Sequence, residues 1–240
     1  MSMKFNNFLN NYFVPLEEGI NDVGIFKAVF MSGMPGAGKS YTMKKIKSGS
    51  VEPRIVNTDK FQEELYGKYT QEFIDKSKRL TISQLVLYLN SMLPLFVDST
   101  SAWQSNLVKR NSLLEGVGYD TAMVFVNVPI EVAKERASKR ERPVDPEYID
   151  KAYQSLKQAK EFFKSKFPLF LEVNNTEEGL NNKAILNIYK KISFFFTSPI
   201  KNPVGKESVS IMRENGWKYL IDGIMDIKQI KLMSKLWFHS

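Results

Sequence analysis

Apolar residues along the chain gather into runs of two kinds. IFKAVFMSG (25–33) and TAMVFVNV (121–128) are nearly continuous, as a strand is when both of its faces are covered. RIVNTD (54–59), LFVDST (95–100) and LFLEVNN (169–175) are shorter runs that predict three more strands. Elsewhere the apolar positions take helical spacing: Ile82, Leu85, Val86, Leu89 and Leu93 predict a helix from about Thr70 to Leu93, stopped by Pro94. KSYTMKKIKSG (39–49), the stretch from Trp103 to Glu115, and EVAKERASKR (131–140) read as further helices. Asp145-Pro146 supplies a cap and first turn for one that runs to about Lys166, and a last helix follows the fifth strand to roughly Phe194. Strands alternating with helices require right-handed crossovers and hence an α/β fold: a parallel sheet of about five strands with helices on both faces.

From about Thr197 the texture changes. SPIKNPVGKES is rich in turn formers and Lys, and MDIKQIKLMSKLWF predicts an amphipathic helix with Ile227, Ile230, Met233 and Leu236 on one face. The expected organisation is therefore an N-terminal extension over 1–24, a main domain over 25–196 and a basic C-terminal extension over 197–240.

Composition narrows the chemistry. The chain of 240 residues has no Cys, which removes disulfides, thiolate nucleophiles and Cys-based metal sites together. Its only His, His239, stands beside the C-terminus, so any general base must be a carboxylate. A net charge of +8 attracts polyanions, nucleotides and nucleic acid among them. The N-terminus MSMKFNNFLNNYF lacks the apolar run of a signal peptide, and no segment nears the roughly 18 apolar residues of a membrane span. A cytoplasmic protein is expected, of oligomeric state that the sequence leaves open.

Directly after the first strand stands GMPGAGKS (33–40), which fits the pattern G-x-x-x-x-G-K-[ST] and makes the expected sheet one of the P-loop NTPase type. Gly33, Gly36 and Gly38 let the backbone turn tightly around phosphates, with its N–H groups pointing inward at the positive end of the next helix. Lys39 would neutralise β- and γ-phosphate oxygens, and the Ser40 hydroxyl would ligate Mg²⁺. Pro35, Ala37 and Tyr41 complete the expected contact set for the nucleoside triphosphate, together with Arg142 from the far side.

Two acids, Asp59 and Asp98, end strands of the same sheet, where ligands of open α/β folds collect. One could take a proton from an attacking hydroxyl while the other holds Mg²⁺ through water or positions a cation. In the run R-A-S-K-R-E-R (136–142), Arg136 and Arg140 lie four apart on the predicted helix, and Arg142 follows just past it. Guanidinium groups answer the charge that phosphoryl transfer places on equatorial oxygens.

Taken in order, GMPGAGKS (33–40), VNTDKF (56–61), FVDST (96–100) and NVPIEVAKERASKR (127–140) resemble the polynucleotide kinase and zeta-toxin branch of P-loop kinases. The resemblance covers roughly residues 25–175. It implies that Lys39 and Ser40 bind ATP and Mg²⁺, and that Asp59 is the base activating the acceptor hydroxyl. Asp98 would organise the site and serve the metal, and Arg140 would steady the transferring phosphoryl group, with Arg136 or Arg142 helping. TDKF is similar in texture to the zeta-type kinases. Phage-type polynucleotide kinases carry an arginine three residues after the catalytic aspartate to grip the acceptor's phosphate, whereas here Gln62 stands there.

Three functions follow. The first, which the sequence narrowly favours, is an ATP-dependent kinase acting on the 5′-hydroxyl of a nucleic-acid end, toward which net charge, the arginine run and the basic C-terminal segment lean. The second is a kinase for a nucleoside, nucleotide or nucleotide sugar, which Gln62 and TDKF favour. The third is an NTP-hydrolysing switch or binding module without an acceptor. A carboxylate base beside the γ-phosphate speaks for the kinases.

Overall fold

The computed structural model describes residues 22–47, 51–63, 70–98, 104–140, 143–176, 179–215, 235 and 237–238. Arg142, residues 1–21 and the apolar face formed by Ile227, Ile230, Met233 and Leu236 lie outside the described residues.

The expected strands form, with one addition. β1 (Lys27–Ser32), β2 (Arg54–Val56), β3 (Leu95–Asp98), β4 (Asp120–Asn127), β5 (Leu169–Thr176) and a short β6 (Gly179–Leu180) make one six-stranded sheet in the order β2-β3-β1-β4-β5-β6. All neighbours are parallel except β6, which turns back on β5. Every residue of β1 is buried, as its continuous apolar run requires at the centre of a sheet covered on both sides.

The register shows how the two faces are covered. Val29 pairs with Phe96, so both point to one face, and Phe30 points to the other. Phe96 meets Phe196 of α7 (Asn182–Thr197) at 5.7 Å between ring centres, edge to face. Phe30 meets Phe167, just past α6 (Pro146–Lys166), at 5.5 Å. α1 (Lys39–Ile46) packs on α7; on the other side α6 packs with α4 (Gln104–Gly116) and α5 (Ile130–Ser138). The remaining helices are α2 (Thr58–Phe61), α3 (Gln71–Asn90) and α8 (Pro203–Asn215).

Three local readings are corrected. The second strand ends at Val56, because the Asn57 side chain accepts the Asp59 N–H at 2.8 Å and starts α2 there. Asp59 thus stands on a short helix beyond the strand. The helix expected to reach Arg140 ends at Ser138, because the Lys139 backbone opens to ψ −1°, so Arg140 stands past the helix that carries Arg136.

The turn-rich stretch after Thr197 contains α8. Its cap is Asn202, whose side chain accepts Val204 N–H at 2.9 Å, with Pro203 at the first helical position. This segment is tied to the sheet's far end: Asp120 accepts the N–H groups of Lys201 and Asn202, while buried Lys27 donates to Asp120 at 2.7 Å and to the Pro199 carbonyl at 3.0 Å. No described helix is long and apolar enough to cross a membrane.

Candidate active site

β1 delivers the chain into the loop 33–40 between its two parallel neighbours, and the loop closes on α1. Gly36 and Gly38 both take positive φ, +81° and +87°, a region that side chains disfavour. A Cβ on Gly36 would stand 2.2 Å from the Ala133 carbonyl of α5, and one on Gly38 would stand 2.3 Å from the Asn175 amide nitrogen. The glycines therefore let α5 and the end of β5 close directly onto the loop.

Lys39 folds over the loop and donates from Nζ to the carbonyls of Gly33 (2.8 Å) and Met34 (3.3 Å). Burial lowers its pKa below the usual lysine value, opposed by Asp98, reinforced by Arg140 and opposed again by Asp59. Asp98, at the end of β3, is shifted upward by burial. Lys39 counters that shift, Asp59 adds to it, and the Asn57 hydrogen bond and Arg140 counter it. These reciprocal influences bring Lys39, Asp59, Asp98 and Arg140 into one electrostatic neighbourhood.

Asn57 ties two of them together. Its Nδ2 donates to Asp98 Oδ2 at 2.9 Å while its Oδ1 holds the Asp59 N–H, so the orientation of one acid is coupled to the helix carrying the other. Thr81 of α3 donates to the Thr58 hydroxyl at 3.2 Å and braces that helix from behind. Asp59, Ser40, Tyr41 and Arg140 are exposed, and Asp98 is half-buried.

Arg136 is placed differently: its guanidinium donates to the Thr176 carbonyl at 2.6 Å, anchoring α5 to the end of β5. Gln62, just past α2, is buried, 2% exposed, and neutral. Tyr41 lies on α1 with the Lys45 ammonium 5.5 Å from its ring centre. Sequence reasoning passed over Asn57 and Asn175. Both stand at or just past the carboxyl end of a strand, the same signal that singled out the two aspartates.

Among the described residues no group of three or more His, Cys, Asp or Glu could hold a metal ion alone. The Ser40 hydroxyl and the Asp98 carboxylate are oxygen donors of the kind Mg²⁺ takes, a metal that keeps most of its water and shares phosphate oxygens.

The strand order and the glycine loop between the central strand and α1 are those of a P-loop kinase fold. A family model described as zeta toxin matches residues 26–190, and the chain belongs to that family. Among solved structures it is similar to one from the PezAT chromosomal toxin–antitoxin system of Streptococcus pneumoniae. That match has 15% identity, covers 92% of this chain and 97% of the other, and has a TM-score of 0.49. The Pnkp1/Rnl/Hen1 RNA repair complex matches at 19% identity and a TM-score of 0.49, over 62% of this chain and 48% of the other. A deoxyadenosine kinase from M. mycoides with bound dATP matches at 17% identity and a TM-score of 0.46, over 69% of this chain and 97% of that one. At these identities the likeness concerns the fold alone. No curated protein matches the sequence significantly.

Proposed function

We propose that the protein transfers the γ-phosphate of ATP to an alcohol on a small molecule of the nucleoside, nucleotide or nucleotide-sugar kind. The observation that carries this reading is Asp59: an exposed carboxylate, held on its own capped helix within the charge field of the phosphate-loop lysine. A carboxylate so placed serves an alcohol nucleophile. In the step itself, Asp59 accepts the hydroxyl proton as the acceptor oxygen bonds to the γ-phosphorus. The bond from that phosphorus to the β,γ-bridging oxygen breaks, and ADP leaves. Lys39 and the inward N–H groups of the loop hold the phosphates, and Arg140 balances charge on the moving group. Bound Mg²⁺, held by Ser40 and through water by Asp98, would neutralise the phosphate oxygens.

Burial of the neutral Gln62 supports the small acceptor, since nothing at that position can grip a polynucleotide phosphate. A second reading, transfer to the 5′-hydroxyl of a nucleic-acid end, draws support from the net charge of +8.

The test supplies γ-labelled ATP with nucleosides, nucleotides, nucleotide sugars and 5′-hydroxyl oligonucleotides. Label in a small alcohol supports the proposal, and label in the oligonucleotide alone supports the second reading. Label only in inorganic phosphate would replace both with a hydrolase.

A further inference from the structure

Peptide groups in a phosphate-binding loop face a constraint of their own. A trans peptide points its N–H and C=O in opposite directions, so each N–H turned toward the phosphates sends a carbonyl outward, where it needs a partner if buried. In this loop the Gly33 and Met34 carbonyls take the Lys39 ammonium, and Met34 also takes the Ala37 N–H at 3.1 Å. The Gly38 carbonyl takes the N–H and hydroxyl of Thr42. The Ala37 carbonyl belongs to a residue with no exposed surface, and it takes Asn175 Nδ2 at 2.7 Å from 138 positions along the chain. That peptide's other end is the Gly38 N–H.

Asn175 is itself 5% exposed and stands at the carboxyl end of β5, between two residues that tie this strand end to its neighbours. Asn174 accepts from Asn127 of β4 at 3.1 Å, and the Thr176 carbonyl accepts from Arg136 of α5. The side chain also sits where a Cβ on Gly38 would go. Glycine at 38 is therefore required by Asn175 as well as by its own positive φ.

We infer that Asn175 is a positioning residue for nucleotide binding: its amide fixes the 37–38 peptide so that the Gly38 N–H faces the phosphate chain. The inference rests on the reading of the loop as a triphosphate site. Asparagine is needed because the carbonyl demands a donor. The isosteric aspartate at ordinary pH offers only acceptors and would turn that peptide around.

The experiment measures equilibrium affinities of ATP and AMP for the full chain and for Asn175→Asp, at a temperature where circular dichroism shows both folded. AMP lacks the β- and γ-phosphates that the loop N–H groups hold. The ratio of ATP to AMP affinity should therefore fall about tenfold or more in the variant, the size expected for one buried hydrogen bond lost or reversed. A ratio equal to the wild type in the folded variant overturns the inference, because a merely structural role lowers stability without singling out phosphates. Asn175→Ala, which removes the donor without adding charge, carries the same test should the aspartate variant fold poorly. Asn174→Ala should leave the ratio unchanged. Failure of the wild type to bind ATP at all would instead refute the triphosphate reading.

Discussion

The Asn57 amide donates to the Asp98 carboxylate at 2.9 Å, while its oxygen caps the helix that presents Asp59. One uncharged side chain thus sets the relation between the two acids of the site. Two substitutions separate its duties. Asn57→Ala removes both bonds and should cost about 1 kcal/mol of stability as well as turnover. Asn57→Asp keeps a competent cap but sets a second negative charge on Asp98. It should lose transfer activity far out of proportion to its loss of stability in urea unfolding. Equal activity in Asn57→Asp and the wild type would show that the contact with Asp98 has no bearing on catalysis.

The two arginines should respond differently to mutation. Arg140 lies in the field of Lys39 and Asp98, whereas Arg136 is committed to the Thr176 carbonyl. Arg140→Ala should lower kcat by about a hundredfold, the scale of one lost transition-state contact, with little effect on ATP affinity. Arg140→Lys should recover little, since an ammonium lacks the planar fork. Arg136→Ala should mainly loosen the packing of α5 on β5, read as a lower thermal midpoint.

At the opposite end of the sheet, Asp120 neutralises the buried Lys27 and holds the segment leading into α8. Asp120→Ala strands that ammonium and should destabilise the fold by about 3–5 kcal/mol. Adding Lys27→Met should restore much of the loss, because the unpaired charge goes with it. Denaturant midpoints of the single and double variants measure this, and purely additive losses would contradict it.

Tyr88 gives a pH signature unrelated to the site. Burial raises its pKa from 10.0 to about 12, so the unfolded chain ionises first as the pH climbs. The stability tied to its neutral form is whole below pH 10 and is lost progressively from there toward pH 12. Relative to Tyr88→Phe, the wild type should therefore lose up to about 1.4 kcal/mol per pH unit in that window. A constant difference between the two across the window would refute the assignment.

Much of this was legible in the sequence because covered parallel strands must be continuously apolar, and β1 and β4 are. The tight turn at 33–40 was legible because its glycines answer local backbone demands. What escaped detection depends on partners distant in sequence or on short polar competition. The end of the second strand at Val56 is decided by one Asn57 hydrogen bond, and Arg140's place past the helix by the backbone turn at Lys139. α8 was missed although Asn202-Pro203 is the same kind of starting pair as Asp145-Pro146, because glycine and lysine around it read as a turn. Asn175 could not be assigned from the chain alone, since its partner, Ala37, lies 138 residues away.

The most direct measurement compares Asp59→Asn with the wild type, reading ATP affinity and acceptor phosphorylation side by side. The account predicts an unchanged dissociation constant for ATP and a fall in phosphoryl transfer of at least about a hundredfold, the contribution of a positioned general base. Transfer at the wild-type rate, with binding intact, would contradict it.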